Sequence, residues 1–201
     1  MVKRIFDILF SIIGLIFFSP CFLLVSILIK ADSKGPVFYL QERVGYNGLL
    51  FKIIKFRSMI TVQNHNSTIT TANDNRITTI GKIIRKLKID ELPELLNILI
   101  GNMSFVGPRP DVPGYADLLE GEDRLILKLK PGITSLASLK YINEEAILAS
   151  IDDPISYNKK VIFPDKVKLN LNYYYDHNIW IDIKVIFATI FNILKKIFKI
   201  K

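Results

Sequence analysis

The sequence is poor in residues that build metal-held or disulfide-held folds, with one cysteine and two histidines among 201 residues. Cys21 lies inside an apolar run, so the chain can form no internal disulfide. No CxxC pair or His/Cys cluster has the spacing of a structural zinc site. His65 and His177 are isolated in the sequence and are predicted to be ordinary loop or surface residues. A disulfide framework and a zinc-held domain are therefore excluded.

Acidic residues are also in short supply, with 19 Asp and Glu against 27 Lys and Arg, which gives a net charge of +8. Such a balance points to an anionic partner, which can be nucleic acid, a phosphorylated small molecule or an anionic membrane surface. Nucleic-acid binding would require a known module with basic residues interleaved with surface aromatics, and neither is evident. The length fits one domain, or one domain with an anchor.

Charge is almost absent from residues 5–29, which read IFDILFSIIGLIFFSPCFLLVSILI. About 20 apolar residues in a helix cross the hydrocarbon core of a bilayer. A cleavable signal peptide is disfavoured, because its apolar core is only ~7–15 residues long and the following IKADSKGP is a poor cleavage site. The segment therefore predicts membrane attachment, either as a spanning helix or as a helix that enters and returns.

The returning helix is the favoured alternative, because Ser19 and Pro20 fall near the middle of the run. Proline removes a hydrogen-bond donor and kinks a helix, and the Ser19 hydroxyl can bond back to a carbonyl and help the bend. Basic residues also flank both ends of the run, which favours placing both ends in the cytoplasm. These flanking residues are Lys3, Arg4, Lys30 and Lys34.

The polar body begins with a predicted hairpin over residues 35–59, in which Asn47-Gly48 marks a tight turn. Lys55 and Arg57 would share one face of the second strand. Residues 61–76 are rich in Asn and Thr and are predicted to form a loop. Residues 77–89 then predict a basic amphipathic helix.

The next helix is predicted over residues 91–100, with Asp90 as its N-cap, Pro93 in its first turn and Gly101 as its terminator. Acids in a first turn gain ~0.3–1 kcal/mol from the helix dipole, which explains one acid well and the adjacent pair Asp90-Glu91 adequately. Capping does not explain the surrounding cations. Carboxylates for a metal beside arginines for phosphate are typical of phosphoryl transfer. The neighbouring cations are Lys55, Arg57, Arg85, Lys86, Lys88 and Arg109.

The C-terminal residues 182–201 have apolar side chains at helical spacing, with lysines at positions 195, 196, 199 and 201. This pattern predicts either an interfacial helix that contacts anionic lipids or a helix that packs on the core of the domain. The sequence leaves both readings open.

Several motifs closely resemble the bacterial sugar transferase family, the monotopic phosphoglycosyl transferases that initiate capsule, O-antigen, exopolysaccharide and glycoprotein glycan assembly. The resemblance is carried by KFRSM at residues 55–59, by residues 73–110, which include KIDELPEL and GPRP, and by KPGIT at residues 130–134. It implies a mainly α fold with a few short strands (α+β). Residues 1–31 would form a re-entrant membrane anchor, 32–181 a compact cytoplasmic catalytic domain and 182–201 an amphipathic helix at the membrane surface.

The resemblance also implies a reaction at the cytoplasmic face of the bacterial inner membrane. A UDP-sugar would donate its phospho-sugar to polyprenyl (undecaprenyl) phosphate, with release of UMP. Asp90 would be the nucleophile, and Glu91, together with Asp90, would hold Mg²⁺. Arg109 would be the principal phosphate contact, with Arg85, Lys55 and Arg57 as further candidates. The expected partners are the UDP-sugar, polyprenyl phosphate and the membrane, with a possible complex with downstream glycosyltransferases and no nucleic acid.

The chain departs from the usual family pattern in three places. Glu94 replaces the Gln of DELPQ, Asn102 replaces the Asp of GDMS, and Ser135 and Ser138 follow PGIT where a glycine and later a glutamine are common. The last change puts the identity of the donor in doubt. An inactive scaffold or an anionic-lipid binder is the alternative function, and the intact acid pair argues against it.

Three further acids, Glu144, Glu145 and Asp165, lie in the C-terminal half of the chain. They are predicted to be solvated or capping residues rather than members of the site.

Overall fold

The computed structural model describes residues 2–60 and 76–198, and it is mainly helical with a few short strands, as predicted. The predicted loop at 61–76 and His65 lie outside the described residues except for Arg76. The helices are α1 Val2–Phe17, α2 Ser19–Asp32, α3 Thr79–Lys86, α4 Glu94–Ile100, α5 Leu136–Lys140, α6 Glu144–Ala149, α7 Pro154–Tyr157, α8 Phe163–Asp176 and α9 Ile179–Phe198. The strands are β1 Phe38–Val44, β2 Leu50–Phe56, β3 Ser104–Val106 and β4 Gly132–Thr134.

The apolar N-terminal run is broken where the sequence predicted, since α1 ends at Phe17 and α2 begins at Ser19 with a bend of 59° between them. The Ser19 hydroxyl donates to the carbonyl of Ile16 at 2.8 Å, which confirms the predicted back-bond. Pro20 lies in the first turn of α2, where its missing N–H costs no helical hydrogen bond. Among the described residues no single helix meets the length and composition of a membrane span, whereas α1 and α2 taken together do.

The first turns of α1 are fixed to the body by charged side chains. Arg4 donates to the carbonyls of Ile98 at 2.6 Å and Leu99 at 2.8 Å, at the carboxyl end of α4. Asp7 is buried and accepts hydrogen bonds from the Ser104 hydroxyl at 3.0 Å and the Phe105 amide at 3.2 Å. Helix α1 is therefore held at a set angle to the residues around α4 and β3.

The predicted hairpin is confirmed, because β1 and β2 pair antiparallel with Tyr39 opposite Lys55. Asn47 and Gly48 form its turn with positive φ angles of 55° and 80°. Asn97 of α4 joins the helix to β2, since its side chain accepts from the Ile54 amide at 2.9 Å and donates to the Lys52 carbonyl at 2.8 Å. The hairpin thus places Lys55 next to the segment that leads into α4.

The short parallel strands β3 and β4 bring GPRP and KPGIT together. Gly107 donates to the Thr134 carbonyl at 3.0 Å, and Gly132 donates to the Pro108 carbonyl at 2.9 Å. A Cβ at Gly132 would lie 2.2 Å from the Gly107 nitrogen, so only glycine permits this approach. The crossing fixes the loop that carries Arg109.

The C-terminal helix α9 has two apolar faces with different surroundings. Val185 is buried against Val106 and Tyr173, so one face packs on the core. The opposite face leaves large apolar side chains exposed, at Trp180, Phe187, Ile190, Phe191, Leu194 and Phe198. The core-packing alternative is therefore confirmed for the inner face, while contact of the outer face with a membrane stays a prediction.

Candidate active site

The acid pair lies in a tight turn between two helices, not at a helix cap as the sequence predicted. Helix α3 ends at Lys86, and Lys88 then takes a left-handed conformation with φ 58°. Ile89–Glu91 form one 3₁₀ turn, and α4 starts only at Glu94. Pro93 occupies the N-cap position without a side-chain cap, so the predicted N-cap role of Asp90 is wrong. The left-handed Lys88 also ends the predicted helix over 77–89 early, whereas Gly101 terminates α4 as expected, with φ 106°.

Asp90 is buried, with 9% of its surface exposed, and its Oδ1 has no hydrogen-bond partner among the described residues. Burial, followed by the negative charge of Glu91, raises the pKa of Asp90 above its usual value. Lys55, Lys88 and Arg85 oppose this rise. The carboxylate is thus not used for capping or pairing, which leaves an oxygen free to react.

Glu91 is held by two cations. Its Oε1 lies 2.5 Å from Nη2 of Arg109 and 3.1 Å from Nζ of Lys55. Burial opposes the charge, but Arg109 and Lys55 outweigh it and hold the pKa of Glu91 well below its usual range. Glu91 is therefore ionised at neutral pH.

Glu94 is a third acid of this cluster, which reasoning from the sequence did not place in the site. Its carboxylate is 3% exposed and lies 3.2 Å from Nζ of Lys55, although Oε1 lacks hydrogen-bond geometry. Burial raises the pKa of Glu94 to about 7, with Lys55 opposing and Glu91 reinforcing the rise. The signal available in the sequence was the acid itself, one turn after Asp90-Glu91.

The predicted cations do not all converge on the acids. Arg109 lies between Pro108 and Pro110, with 45% of its side chain exposed, and the charge of Glu91 raises the pKa of its guanidinium. Arg85, in the last turn of α3, lines the same cavity as Asp90 and Glu91.

Arg57 has a different set of partners at the end of α2. Its guanidinium donates to the carbonyls of Ser33 at 2.7 Å and Lys34 at 2.9 Å, and its side chain is buried. These contacts tie the anchor to β2. Phosphate binding by Arg57 stays a prediction.

Asp90 and Glu91 open into a cavity of about 1700 Å³. Ligand pockets for one small molecule are usually about 300–1,000 Å³, so this space has room for parts of two substrates. Its lining includes apolar residues of α1 and of the break after it, at Phe10, Ile13, Gly14, Phe17 and Phe18. It also includes polar side chains between residues 138 and 170, at Ser138, Tyr141, Asn143, Glu144, Lys166 and Asn170.

The acids of α6 and α8 make ion pairs. Glu144 accepts from Lys166 at 2.6 Å, and Asp165 accepts from Lys140 and Tyr141, both at 2.7 Å. The side chain of Glu145 is not among those that the structure describes. His177, exposed after α8, contacts the Tyr174 carbonyl through Nδ1 at 2.8 Å, as expected of a surface residue.

The described residues contain no group of three or more His, Cys, Asp and Glu arranged to hold a metal ion. A magnesium ion does not need one, because it is usually bound through one or two carboxylates together with water and substrate phosphates. The adjacent carboxylates of Asp90 and Glu91, with Asp90 Oδ1 unpaired, fit that mode. Magnesium at this pair stays a prediction.

Comparisons with known proteins agree with this geometry. A family model described as bacterial sugar transferase matches residues 1–196. A UDP-glucose:undecaprenyl-phosphate glucose-1-phosphate transferase of Klebsiella pneumoniae is 39% identical over 195 residues, covering 94% of this chain and 39% of the relative. A UDP-N-acetylgalactosamine-undecaprenyl-phosphate N-acetylgalactosaminephosphotransferase of Aeromonas hydrophila is 37% identical over 199 residues, covering 96% and 44%.

The chain thus spans less than half the length of these two relatives. It spans most of others, such as the exopolysaccharide production protein ExoY of Rhizobium meliloti, to which it is 34% identical over 206 residues, covering 94% of this chain and 84% of the relative. The matched part therefore contains the acid pair, the basic residues around it and the bent N-terminal helix pair.

Proposed function

Since the chain belongs to the bacterial sugar transferase family, we propose that it transfers a sugar-1-phosphate from a UDP-sugar to undecaprenyl phosphate and releases UMP. Two of its relatives are named for such transfers from UDP-glucose and UDP-N-acetylgalactosamine. The observation that carries the proposal is the buried carboxylate of Asp90 with an unpaired oxygen, next to a Glu91 held by Arg109 and Lys55.

The proposed chemistry has two displacements at phosphorus, with Asp90 as the nucleophile of the first. An Asp90 carboxylate oxygen attacks the β-phosphorus of the donor, and the bond from that phosphorus to the bridging oxygen breaks, so that UMP leaves. The sugar phosphate is then linked to Asp90 as an acyl phosphate. An oxygen of the lipid phosphate attacks the same phosphorus, the bond to Asp90 breaks, and the polyprenyl diphosphate-sugar forms. Covalent catalysis of this kind divides one difficult transfer into two easier ones.

The cations around the acids position and neutralise the diphosphate. Arg109 presents a planar guanidinium that can contact two phosphate oxygens, and the flanking prolines restrict its backbone. Lys55 already lies 3.1 Å from Glu91 at the cavity wall, so its ammonium can also reach a bound phosphate. Arg85 lies in the same cavity and is a further candidate contact. Magnesium bound at Asp90 and Glu91 would neutralise charge that develops on the leaving phosphate.

The bent anchor explains how a water-soluble donor and a lipid acceptor can meet at one site. In the proposal α1 and α2 form a re-entrant hairpin, with both ends on the cytoplasmic side of the inner membrane. The cavity supports this arrangement, because α1 contributes apolar residues to its lining while the rest of the chain contributes the charged and polar ones. The lipid phosphate would enter along α1 and the UDP-sugar from the cytoplasm.

Topology can be measured by the accessibility of tags at both termini. We expect both tags to be labelled only from the cytoplasm, and a periplasmic terminus would exclude the hairpin. Pro20→Leu should shift part of the population toward a full span, because it restores a donor in a run of helix formers. Unchanged labelling in this variant would mean that Pro20 does not set the bend.

The reaction is tested by UMP release from UDP-glucose, UDP-galactose, UDP-N-acetylglucosamine and UDP-N-acetylgalactosamine, with Mg²⁺ and undecaprenyl phosphate. We expect release with at least one donor, and a loss of at least about 10³-fold in kcat for Asp90→Asn, as expected when a nucleophile is removed. Asp152→Asn, an exposed acid on a surface turn, is the matched control and should retain full turnover. Full turnover in Asp90→Asn would contradict the nucleophile, and no release by the wild type would favour an inactive scaffold.

A further inference from the structure

Asp111 follows GPRP directly and lines the cavity, and its carboxylate takes no part in the proposed transfer. The residue is half-buried, and the Val44 amide donates to its backbone carbonyl at 2.9 Å, which fixes this part of the loop against β1. In the part of the chain that the structure describes, the carboxylate accepts no hydrogen bond and makes no ion pair within 4.0 Å. Both oxygens are therefore available to a ligand in the cavity.

Positive charge surrounds this carboxylate at longer range. Burial raises the pKa of Asp111 to about 6, and Lys166, Arg43 and Arg109 oppose that rise, so the group is ionised at neutral pH. Arg43 is held in place by the carbonyl of Pro110 at 3.2 Å and by Gln41 at 2.7 Å. The cations keep Asp111 charged without occupying its oxygens.

Lys166 and Tyr141, which line the same cavity, add a donor and an aromatic surface. The ammonium of Lys166 bonds to Glu144 at 2.6 Å and lies 5.7 Å from the centre of the Tyr141 ring. All three side chains line the same cavity as Asp111. The cavity therefore holds an ionised acceptor in Asp111, a charged donor in Lys166 and the ring of Tyr141. Such a small set of polar groups is what orients a hydroxyl-rich ligand in a cavity.

The distance to the reacting phosphate fits such a ligand. Asp111 is two residues from Arg109, so their Cα atoms are at most about 7 Å apart. A diphosphate held at Arg109 carries a hexose on one side and a ribose on the other, and both present neighbouring hydroxyl groups within that reach. A carboxylate with free oxygens is a strong acceptor for such hydroxyls.

We propose that Asp111 is a specificity-determining residue that accepts hydrogen bonds from neighbouring hydroxyl groups of the nucleotide sugar. This inference rests on the proposed function. The hydroxyls belong either to the hexose or to the ribose of the donor, and the two sources share the same chemistry. Lys166, which lines the same cavity, donates to the same ligand.

The test combines substitutions of Asp111 with removal of single hydroxyl groups from the donor, in the manner of a double-mutant cycle. Wild type, Asp111→Asn, Asp111→Ala and the control Asp152→Asn are assayed for kcat/KM with the best donor of the panel, with its single-deoxy hexose analogues and with its 2′-deoxyuridine analogue. Loss of a hydrogen bond to a charged group costs about 10- to 100-fold. We expect this loss when Asp111→Ala meets the full donor, and no further loss when the variant meets the analogue that lacks the recognised hydroxyl.

The analogue that causes no further loss of kcat/KM in Asp111→Ala shows which part of the donor carries the recognised hydroxyl. A hexose analogue that shows no further loss assigns Asp111 to the transferred sugar, and the 2′-deoxyuridine analogue assigns it to the ribose. Equal, additive losses for every analogue would overturn the inference, as would wild-type kcat/KM in Asp111→Ala. If thermal unfolding shows that Asp111→Ala does not fold, Asp111→Ser replaces it in the same cycle.

The assay also separates this inference from the function on which it rests. A wild type that turns over none of the donors would overturn both. A wild type that is active, with no coupling between Asp111 and any hydroxyl, would overturn only the role of Asp111.

Discussion

Buried acids at two places among the described residues differ in how their carboxylate oxygens are used. The first joins the anchor to the C-terminal helix, where Asp182 accepts from both Lys3 and Tyr173 and Lys3 also donates to the Val106 carbonyl at 3.0 Å. The second is the site, where Asp90 and Glu94 each have a buried oxygen with no hydrogen-bond partner among the described residues. We call the first cluster the latch.

This is the difference expected between a cluster that serves stability and a proposed active site. Leaving a buried acceptor unsatisfied costs about 1–3 kcal/mol, so a cluster that serves only stability should pair every oxygen, as the latch does. Unpaired acids with shifted pKa values, placed in a cavity, are typical of functional sites. The comparison therefore predicts opposite effects of similar substitutions at the two places.

The largest effect on stability is expected at the latch. Asp182→Asn removes the charge that pairs with Lys3 while Tyr173 keeps an acceptor. Breaking a buried ion pair costs about 3–5 kcal/mol, and because Lys3 is about one-third exposed we expect about 2–3 kcal/mol. Thermal unfolding in detergent should shift downward by roughly 5–10 °C, with kcat of the folded fraction unchanged. An unaltered melting temperature would mean that the latch is not what holds α1 and α9 together.

The matched change in the site should leave stability intact while it removes turnover. Asp90→Asn replaces a buried charge whose Oδ1 is unpaired, so we expect no loss of unfolding free energy and a gain of up to about 1 kcal/mol. The melting temperatures of Asp90→Asn, Asp182→Asn and wild type, measured side by side, test this contrast. A fall at Asp90→Asn as large as at Asp182→Asn would show that both clusters are structural.

A smaller, pH-dependent effect is expected at Glu94. The folded pKa of about 7 lies above the usual 4.5, so the folded state binds more protons than the unfolded chain between these values. Its contribution therefore makes the unfolding free energy fall as pH rises from about 4.5 to 7. Glu94→Gln keeps an acceptor for Lys55 but removes the titration, so the variant should exceed wild type by roughly 1–2 kcal/mol at pH 8 and differ little at pH 4.

Chemical denaturation of both proteins at several pH values measures this difference. Glu91 and Asp90 titrate in both proteins, and their contributions cancel to a first approximation. Parallel curves for the two proteins would contradict the raised pKa of Glu94.

Much of the fold follows from local patterns. The break at Ser19-Pro20, the turn at Asn47-Gly48 and the end of α4 at Gly101 were all predicted, because proline, Asn-Gly and a left-handed glycine act through neighbouring backbone atoms alone. The cap at Asp90 was predicted wrongly by the same logic. The left-handed Lys88 and the 3₁₀ turn after it depend on how α3 and α4 pack, which no local pattern states.

The site was predicted in part for a similar reason. The acid pair and Arg109 can be read from the motifs, and the structure brings Glu91 of that pair within hydrogen-bond distance of Arg109. Two contacts could not be predicted from local sequence, because they join residues that are distant along the chain. Arg57 donates to carbonyls at the end of α2, and Glu94 pairs with Lys55, which also pairs with Glu91. The strand β2 ends at Phe56, so Arg57 lies just beyond the strand on which the sequence placed it and reaches other partners than Lys55.

The covalent intermediate is tested most directly by intact-mass measurement of the protein after exposure to the donor and Mg²⁺ alone, without undecaprenyl phosphate. We expect wild type to gain the mass of one sugar phosphate, undecaprenyl phosphate to remove it, and Asp90→Asn to gain nothing. An adduct of the same mass on Asp90→Asn, or turnover by wild type with no adduct on rapid quenching, would contradict the role of Asp90.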